Sequence, residues 1–170
     1  MNKPARMLLE LPGADEIDEL ARSTPELNVR KFEYDMKGAN ADLDYTPCKG
    51  RIIIVVMGEK GTVLIEPESS GKWSLPSGFI NTYEKIEESV TRVAKETCGV
   101  TLRSRQLIAM FDVIRHFKGV TIKRLYIVYS AITDDSDLGG SERARFMTDI
   151  PDDLELDEMD RAAIENCEGK

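Results

Sequence analysis

Residues 72–102, KWSLPSGFINTYEKIEESVTRVAKETCGVTL, combine a tryptophan-containing segment with a strong helix pattern. Asn81 suits an N-cap and Glu84 lies three residues later, as in a capping box, so we predict a helix over Thr82–Cys98. Gly99 is placed to end that helix, because glycine readily adopts the left-handed conformation that follows helix C-termini. Apolar residues recur along the helix at the spacing of one buried face: Ile86, Val90, Ala94 and Cys98.

The same stretch resembles the box of the Nudix (MutT-like) hydrolase family, G-x5-E-x7-R-E-U-x-E-E-x-G-U, where U is a bulky aliphatic residue. The spacing matches without a gap at Gly78, Glu84, Arg92, Glu96, Gly99 and Val100. The preceding segment 73–78 is similar to the family's W-x-L-P-G-G, with Ser77 in place of the first glycine. With its flanks, the likeness extends over roughly residues 45–152.

The resemblance implies an α+β fold, in which a mixed sheet lies between helices as a Nudix-type α/β/α sandwich. It also implies a pyrophosphatase that hydrolyses a diphosphate linked to another group, usually a nucleoside, by attack of water on phosphorus. In the family, magnesium ions (Mg²⁺, or Mn²⁺ in its place) neutralise the developing charge, and carboxylates from one helix face hold them.

The box is degenerate in its carboxylates. Where the family has one Glu after the Arg and then a Glu-Glu pair, this chain has Val93, Glu96 and Thr97. At about 100° per residue these positions share one helix face with Ser89, so that face is mostly apolar or neutral. One carboxylate can still hold Mg²⁺ when substrate phosphates supply further oxygens, and we therefore expect a weak metal site at Glu96.

The resemblance also marks the other candidate site residues. Glu96, Arg92 and Glu84 are the candidate catalytic residues. Helix capping and orientation are an alternative role for Glu84 and Arg92, and a surface ladder of ion pairs with Glu88 is an alternative for Arg92 and Glu96. Glu142, in a loop, loosely resembles an acidic position at which some members place a further metal ligand or base, so Glu96 and Glu142 are the candidate metal ligands. An ordinary solvated loop acid is the alternative for Glu142.

Basic residues concentrate after the box helix. Between Leu102 and Arg124 the chain has six bases and one acid, Asp112. In the family these strands border the substrate cleft, so we expect Arg115 and Arg124, together with Gly78, to bind the substrate. The alternative, outward-facing charges on alternating strand positions, stays open.

Apolar patterns predict the elements around the box. Alternating or continuous apolar runs predict strands at 27–36, 51–57, 62–65, 107–115 and 121–132, with 51–66 as a hairpin and 37–49 as a loop. We expect one domain over 1–170, with an N-terminal arm at 1–27 and an acidic C-terminal helix at 149–168. The expected apolar positions of that last segment are Leu154, Leu156, Met159, Ala162, Ala163 and Ile164.

The net charge of −8 is concentrated in one segment, because residues 149–168 contain nine acids and one base. The rest of the chain has equal numbers of acids and bases, so its charge does not exclude a small phosphate-containing ligand. The acidic segment argues against binding of long nucleic acid. The chain also has no polybasic membrane anchor. No apolar run could span a bilayer, and the three cysteines are too widely spaced for a disulfide framework, so we expect a cytoplasmic protein. The arm, over 1–36, could support a homodimer.

Two functions follow from these observations. One is an attenuated Nudix hydrolase that cleaves the diphosphate of a small nucleoside diphosphate derivative, such as a nucleotide sugar or ADP-ribose. The other is a catalytically inactive Nudix-fold module that binds a nucleotide-like ligand or a protein partner. The intact Gly, Glu and Arg spacing favours the first, whereas Val93 and Thr97 favour the second.

Overall fold

The computed structural model describes residues 14–24, 27–36, 50–69, 71–117, 119–139 and 141–168. Within these ranges the chain forms three helices: α1 (Ala14–Ser23), α2 (Ile86–Cys98) and α3 (Glu158–Glu168). The same ranges contain seven strands: β1 (Asn28–Asp35), β2 (Gly50–Gly58), β3 (Gly61–Ile65), β4 (Ser77–Ile80), β5 (Leu102–Phe117), β6 (Val120–Thr133) and β7 (Ala144–Met147). The predicted loop at 37–49 and the first half of the arm lie outside the described residues.

The seven described strands form one mixed sheet in the order β1-β5-β6-β2-β3-β7, with β4 paired to β2. Two pairs are parallel, β1 with β5 and β2 with β6, and the others are antiparallel. The predicted hairpin is confirmed, because β2 and β3 pair antiparallel with Gly58 opposite Gly61. The five predicted strands correspond to β1, β2, β3, β5 and β6.

Strand β2 is buried on both faces, as its continuous apolar run predicts. Ile52, Ile54 and Val56 belong to the hydrophobic cluster that includes α2. Ile53 and Val55 belong to the cluster on the other face, which includes α3. Alternate residues of one strand thus hold a helix against each face of the sheet, which is the expected α/β/α sandwich.

Helix α1, within the predicted arm, belongs to the α2 face. Ile17 and Leu20 pack against that hydrophobic cluster. A carboxylate oxygen of Glu16 accepts a hydrogen bond from the backbone N–H of Ile86, the first residue of α2, at 2.9 Å. Since the first N–H groups of a helix lack partners within the helix, this contact supplies one from outside.

The predicted start of the box helix was wrong. Helix α2 begins at Ile86, not at Thr82, and Asn81 is not its N-cap. Residues 81–84 form a turn in which the N–H of Glu84 donates to the carbonyl of Asn81 at 3.1 Å. The carboxylate of Glu88 instead accepts from the N–H of Lys85, the N-cap, at 3.0 Å. The Glu84 side chain is held by an arginine further along the chain, described below.

The acidic C-terminal helix is also shorter than the expected 149–168. Helix α3 begins at Glu158, after a turn at Pro151 and an isolated bridge that pairs Leu156 with Trp73. This bridge holds the chain extended just before the helix. The six expected apolar positions are confirmed, because all of them pack in the cluster between α3 and the sheet.

Two short strands, β4 and β7, are absent from the sequence-based description. Each has four residues, which is too short for an alternating pattern to be recognised. Strand β4 pairs with β2, and β7 pairs with β3 at the end of the strand order. None of the described helices is both long and apolar enough to cross a bilayer.

Gly99 ends α2 with φ of 71°, and a Cβ built there would lie 1.9 Å from the carbonyl oxygen of Gly139. We therefore expect Gly99→Ala to destabilise the protein by more than the roughly 1–2 kcal/mol that a left-handed residue costs. Gly99→Asn should lose nearly as much stability. Asparagine tolerates the left-handed conformation, but its Cβ would meet the same carbonyl oxygen of Gly139.

Chemical denaturation followed by circular dichroism measures both losses. Gly71→Ala is the matched control, since a Cβ there would meet only Pro67 at an ordinary 3.7 Å. A Gly99→Asn variant as stable as wild type would show that the close approach to Gly139 does not constrain this position.

Candidate functional site

Arg92 ties the turn after β4 to helix α2. Its Nε and Nη2 donate to the two carboxylate oxygens of Glu84 at 2.8 Å and 2.9 Å. The same Nη2 also donates to the carbonyl oxygen of Phe79, next to Gly78. We call these contacts the Arg92–Glu84 brace. It joins residues 79–84 to a helix position eight residues beyond Glu84.

The brace fixes the charge of Glu84. Hydrogen bonds from Arg92, and further ones from Ser89 and the N–H of Asn81, lower the pKa of Glu84 to about 2. The carboxylate is therefore ionised at neutral pH, with its oxygens engaged inside the protein. These contacts are those of an orienting residue, which is one of the two roles that the sequence left open for Glu84 and Arg92.

The predicted ladder of ion pairs along α2 is only partly present. Arg92 Nη1 donates to Glu96 Oε1 at 3.2 Å, four residues on. Glu88 instead caps the helix at Lys85, because its carboxylate is used by that backbone N–H. The Glu96 side chain remains 58% exposed, so a ligand can reach its carboxylate.

Of the other two box positions, Val93 faces the protein interior and Thr97 lies at the edge between the interior and a neighbouring cleft. Val93 is fully buried, and a Cβ added to Gly78 would lie 2.9 Å from Val93 Cγ2. Gly78 is thus the residue type that allows the strand to pass over Val93. Thr97 is half-buried, and its hydroxyl donates to the Val93 carbonyl at 2.6 Å. Neither side chain can supply the carboxylate that the family has there.

A cleft of about 450 Å³ lies beside the exposed end of this face. It brings together the two predicted metal ligands, Glu96 from α2 and Glu142 from the loop before β7. Arg143 adds one cation to the same lining. The remaining lining residues are Ile65, Ser74, Leu75, Ser77, Thr97 and Ser141.

The cleft offers a partial donor set for Mg²⁺. Hard carboxylate oxygens suit this ion, and Glu96 and Glu142 supply them from two elements. Across the residues that the structure describes, no group of three or more His, Cys, Asp or Glu side chains is arranged to hold a metal. The two carboxylates therefore fit Mg²⁺ only if phosphate and water oxygens complete its coordination.

The predicted substrate residues Arg115 and Arg124 do not line this cleft. They lie with four other residues in a second group, which we call the arginine–aromatic surface: Arg51, Phe79, Arg115, Arg124, Tyr126 and Tyr34. Arg51 connects the two, because its Nη2 donates to the Oγ of Ser77 at 3.2 Å and Ser77 lines the cleft.

The basic residues of 102–124 do not form one surface. At the start of β5, Arg103 pairs with Asp134 at 3.0 Å and Arg105 donates to the Glu87 carbonyl at the beginning of α2. These two guanidiniums serve the fold. Arg115 and Arg124 lie towards the hairpin that joins β5 and β6, where the same strands carry Tyr126.

Comparison of the sequence with models of protein families gives no match, and comparison with curated proteins gives none. Solved structures do match. A mutant of the Bacillus subtilis pyrophosphohydrolase BsRppH superposes with a TM-score of 0.55 at 15% identity, over 76% of this chain and 87% of that one. A MutT Nudix hydrolase from Burkholderia pseudomallei gives a TM-score of 0.50 at 23% identity, over 68% and 95%.

The chain has the Nudix fold. A third similar structure is the C-terminal domain of mouse MUTYH in complex with human PCNA, with a TM-score of 0.52, 20% identity and coverage of 70% of this chain and 86% of that one. The α+β sandwich expected from the box is therefore confirmed, whereas the roles of the individual site residues stay predictions.

Sequence patterns missed three residues beside the site of this Nudix fold. Arg51 is the second residue of β2, Phe79 follows Gly78, and Tyr126 lies opposite Arg51 in the parallel pairing of β2 with β6. The pairing of β4 with β2 places Phe79 opposite Arg51 as well. The available signal was one arginine before a continuous apolar run, which identifies neither strand partner.

Asp160 is a fourth residue that the sequence did not mark. It lies in α3, only 8% exposed, and its carboxylate accepts a hydrogen bond from the Leu75 N–H at 3.4 Å. The Trp73 N–H likewise donates to the Glu155 carbonyl at 2.8 Å. The segment that leads into the cleft is thus held by the acidic end of the chain.

Burial raises the pKa of Asp160 to about 7, and the nearby charge of Asp157 adds to the rise. Because the folded pKa exceeds the ordinary value of 3.8, this group contributes stability at acid pH that is lost as the pH rises towards 7. We therefore expect the free energy of unfolding of Asp160→Asn, taken relative to that of wild type, to be roughly 2–3 kcal/mol higher at pH 8 than at pH 5.

Urea denaturation at the two pH values measures this difference. Asp153→Asn, at an exposed position in the preceding turn, is the matched control and should change the stability by the same amount at both pH values. An Asp160→Asn variant with the same effect at pH 5 and pH 8 would contradict the assignment of a raised pKa.

Proposed function

We propose that this chain is an attenuated Nudix-type pyrophosphohydrolase, which cleaves the diphosphate of a small nucleoside diphosphate derivative with Mg²⁺. The observation that carries the proposal is that Glu96 and Glu142 line one cleft. This cleft lies beside α2, and the Arg92–Glu84 brace ties that helix to the turn before it. The fold, shared with structures named as pyrophosphohydrolase and Nudix hydrolase, supports it.

The residues of the cleft have separate tasks in this proposal. Glu96 and Glu142 would hold Mg²⁺, which when bound offsets negative charge on the reacting phosphate. Arg143 and the hydroxyls of Ser74 and Ser77 can donate to phosphate oxygens, because they line the same space. Arg92 keeps Glu96 in place through their 3.2 Å contact.

Slow turnover follows from the two replaced positions. A buried Val93 and a Thr97 whose hydroxyl is bonded to the helix backbone leave the metal with fewer protein oxygens. The substrate must then supply more of the coordination, so metal and substrate should bind together. We expect weak metal binding by the protein alone.

The second candidate is a Nudix-fold module that binds a ligand or partner without hydrolysing it. The observation that favours it is the close packing of Val93 against Gly78, which makes the former ligand face part of the core. The MUTYH domain in complex with PCNA provides a precedent for this fold beside a protein partner.

Phosphate release from a panel of nucleoside diphosphate sugars, ADP-ribose and dinucleoside polyphosphates, with Mg²⁺ or Mn²⁺, tests the first candidate. We expect slow hydrolysis of at least one compound, and a decrease of about 10-fold or more for both Glu96→Gln and Glu142→Gln, since each removes a charged metal ligand. Thr97→Glu should increase the rate, because it returns a carboxylate to the cleft.

Two controls separate charge from packing. Glu165→Gln removes an exposed acid on α3, outside the cleft, and should leave the rate unchanged. Thr97→Gln has nearly the shape of Thr97→Glu without its charge and should not raise the rate. No hydrolysis of any compound would leave the binding module as the function, and hydrolysis unaffected by Glu96→Gln and Glu142→Gln would rule out this site.

A further inference from the structure

In the arginine–aromatic surface, guanidinium groups lie over aromatic rings. The Arg51 guanidinium carbon lies 4.5 Å from the centre of the Phe79 ring and 5.9 Å from that of Tyr126. The Arg115 guanidinium carbon lies 5.8 Å from the Tyr126 ring and 5.6 Å from the Tyr34 ring. Tyr126 therefore stands between two arginines, and Arg124 lies 5.7 Å from Phe79.

Stacking of this kind orders a guanidinium without neutralising it. An aromatic ring attracts the cation without removing its charge, and a guanidinium has more N–H donors than one hydrogen bond uses. Among the described residues, neither Arg51 nor Arg115 has a carboxylate within ion-pair distance, and their hydrogen bonds go to the neutral hydroxyls of Ser77 and Tyr126. Positive charge and several donors thus remain available to an anion.

The position of this surface relates it to the cleft. Ser77 accepts from Arg51 and lines the cleft, so the two regions share a residue. Phe79 has its ring against Arg51 and its carbonyl bonded to Arg92, so the brace holds the surface as well. Two acids of the neighbouring C-terminal segment have hydrogen bonds to other groups, Glu158 from the Tyr34 hydroxyl and Asp160 from the Leu75 N–H, although the charge of Asp160 also attracts Arg51.

We propose that Arg51 and Arg115 form a second phosphate subsite, so that the substrate carries a phosphate group in addition to the diphosphate in the cleft. The inference rests on the proposed function, since it concerns the remainder of that substrate. The ligand class is a nucleoside diphosphate derivative that also bears a phosphomonoester. Planar, bidentate donors are well matched to the oxygens of such a group.

Equilibrium binding by titration calorimetry, which needs no turnover, tests the inference with matched ligand pairs. The pairs are ADP-ribose with its 2′-phosphorylated form, and dephospho-coenzyme A with coenzyme A. We expect the phosphorylated member of at least one pair to bind about 10- to 100-fold more tightly, the range of one charged hydrogen bond. Arg51→Gln with Arg115→Gln should abolish that preference.

Two further variants keep the result interpretable. Arg103→Gln changes an arginine of β5 that pairs with Asp134 away from the surface, and it should retain the preference. Arg51→Lys with Arg115→Lys keeps the charge if the glutamine variant does not fold, and it should retain part of the preference.

Equal binding within both pairs, or a preference that persists in a folded glutamine variant, would overturn the subsite. If only the proposed hydrolysis is wrong, calorimetry would still show the binding preference, but no phosphate would be released.

Discussion

The guanidinium of Arg92 joins three parts of the chain that are separate in sequence: the carbonyl of Phe79, the carboxylate of Glu84 and the carboxylate of Glu96. Its planar set of donors makes a bidentate contact with Glu84 and still reaches the other two, which a lysine could not do. The pairing of β4 with β2 places Gly78 and Phe79, and the hydrogen bond from this guanidinium to the Phe79 carbonyl reinforces their position. The cleft and the arginine–aromatic surface therefore share one mechanical support.

Val93 and Thr97, on one face of α2, contribute packing and a hydrogen bond to the helix backbone, and neither offers a carboxylate. Carboxylates at positions 93 and 97 would add like charges to a face that already carries Glu96, and without a metal these charges repel one another. Val93 instead fills the space under Gly78, and Thr97 closes a hydrogen bond to the Val93 carbonyl. The protein gains core contacts from Val93 in this arrangement.

The sequence was most informative where a pattern reflects a local constraint. The continuous apolar run of β2 reports burial on both faces, and the spacing from Gly78 to Gly99 reports a loop and helix of fixed length. The helix start was predicted wrongly because Asn81 and Glu84 have the spacing of a capping box, whereas the Glu84 carboxylate is taken by Arg92, a choice that no local pattern reveals.

Strand pairing limits what the sequence can say about the site. Arg51 and Tyr126 become neighbours only through the parallel pairing of β2 with β6, and Phe79 joins them through a four-residue strand. The burial of Asp160 likewise depends on the packing of α3 against the sheet. Glu96 and Glu142 could be named from the resemblance, but their common cleft needed the fold.

The attachment of the Trp73–Leu75 segment to the end of the chain has a consequence for biosynthesis. The bond from Leu75 to Asp160 spans 85 residues, and the backbone partner of Trp73 lies almost as far along. Ser74 of this segment pairs with nearby Ile65, whereas the contacts of Trp73 and Leu75 can form only after residues 155–160 have been synthesised. Contacts of such sequence separation form late, because a long loop must close first. These two contacts of the cleft wall should therefore form late in folding.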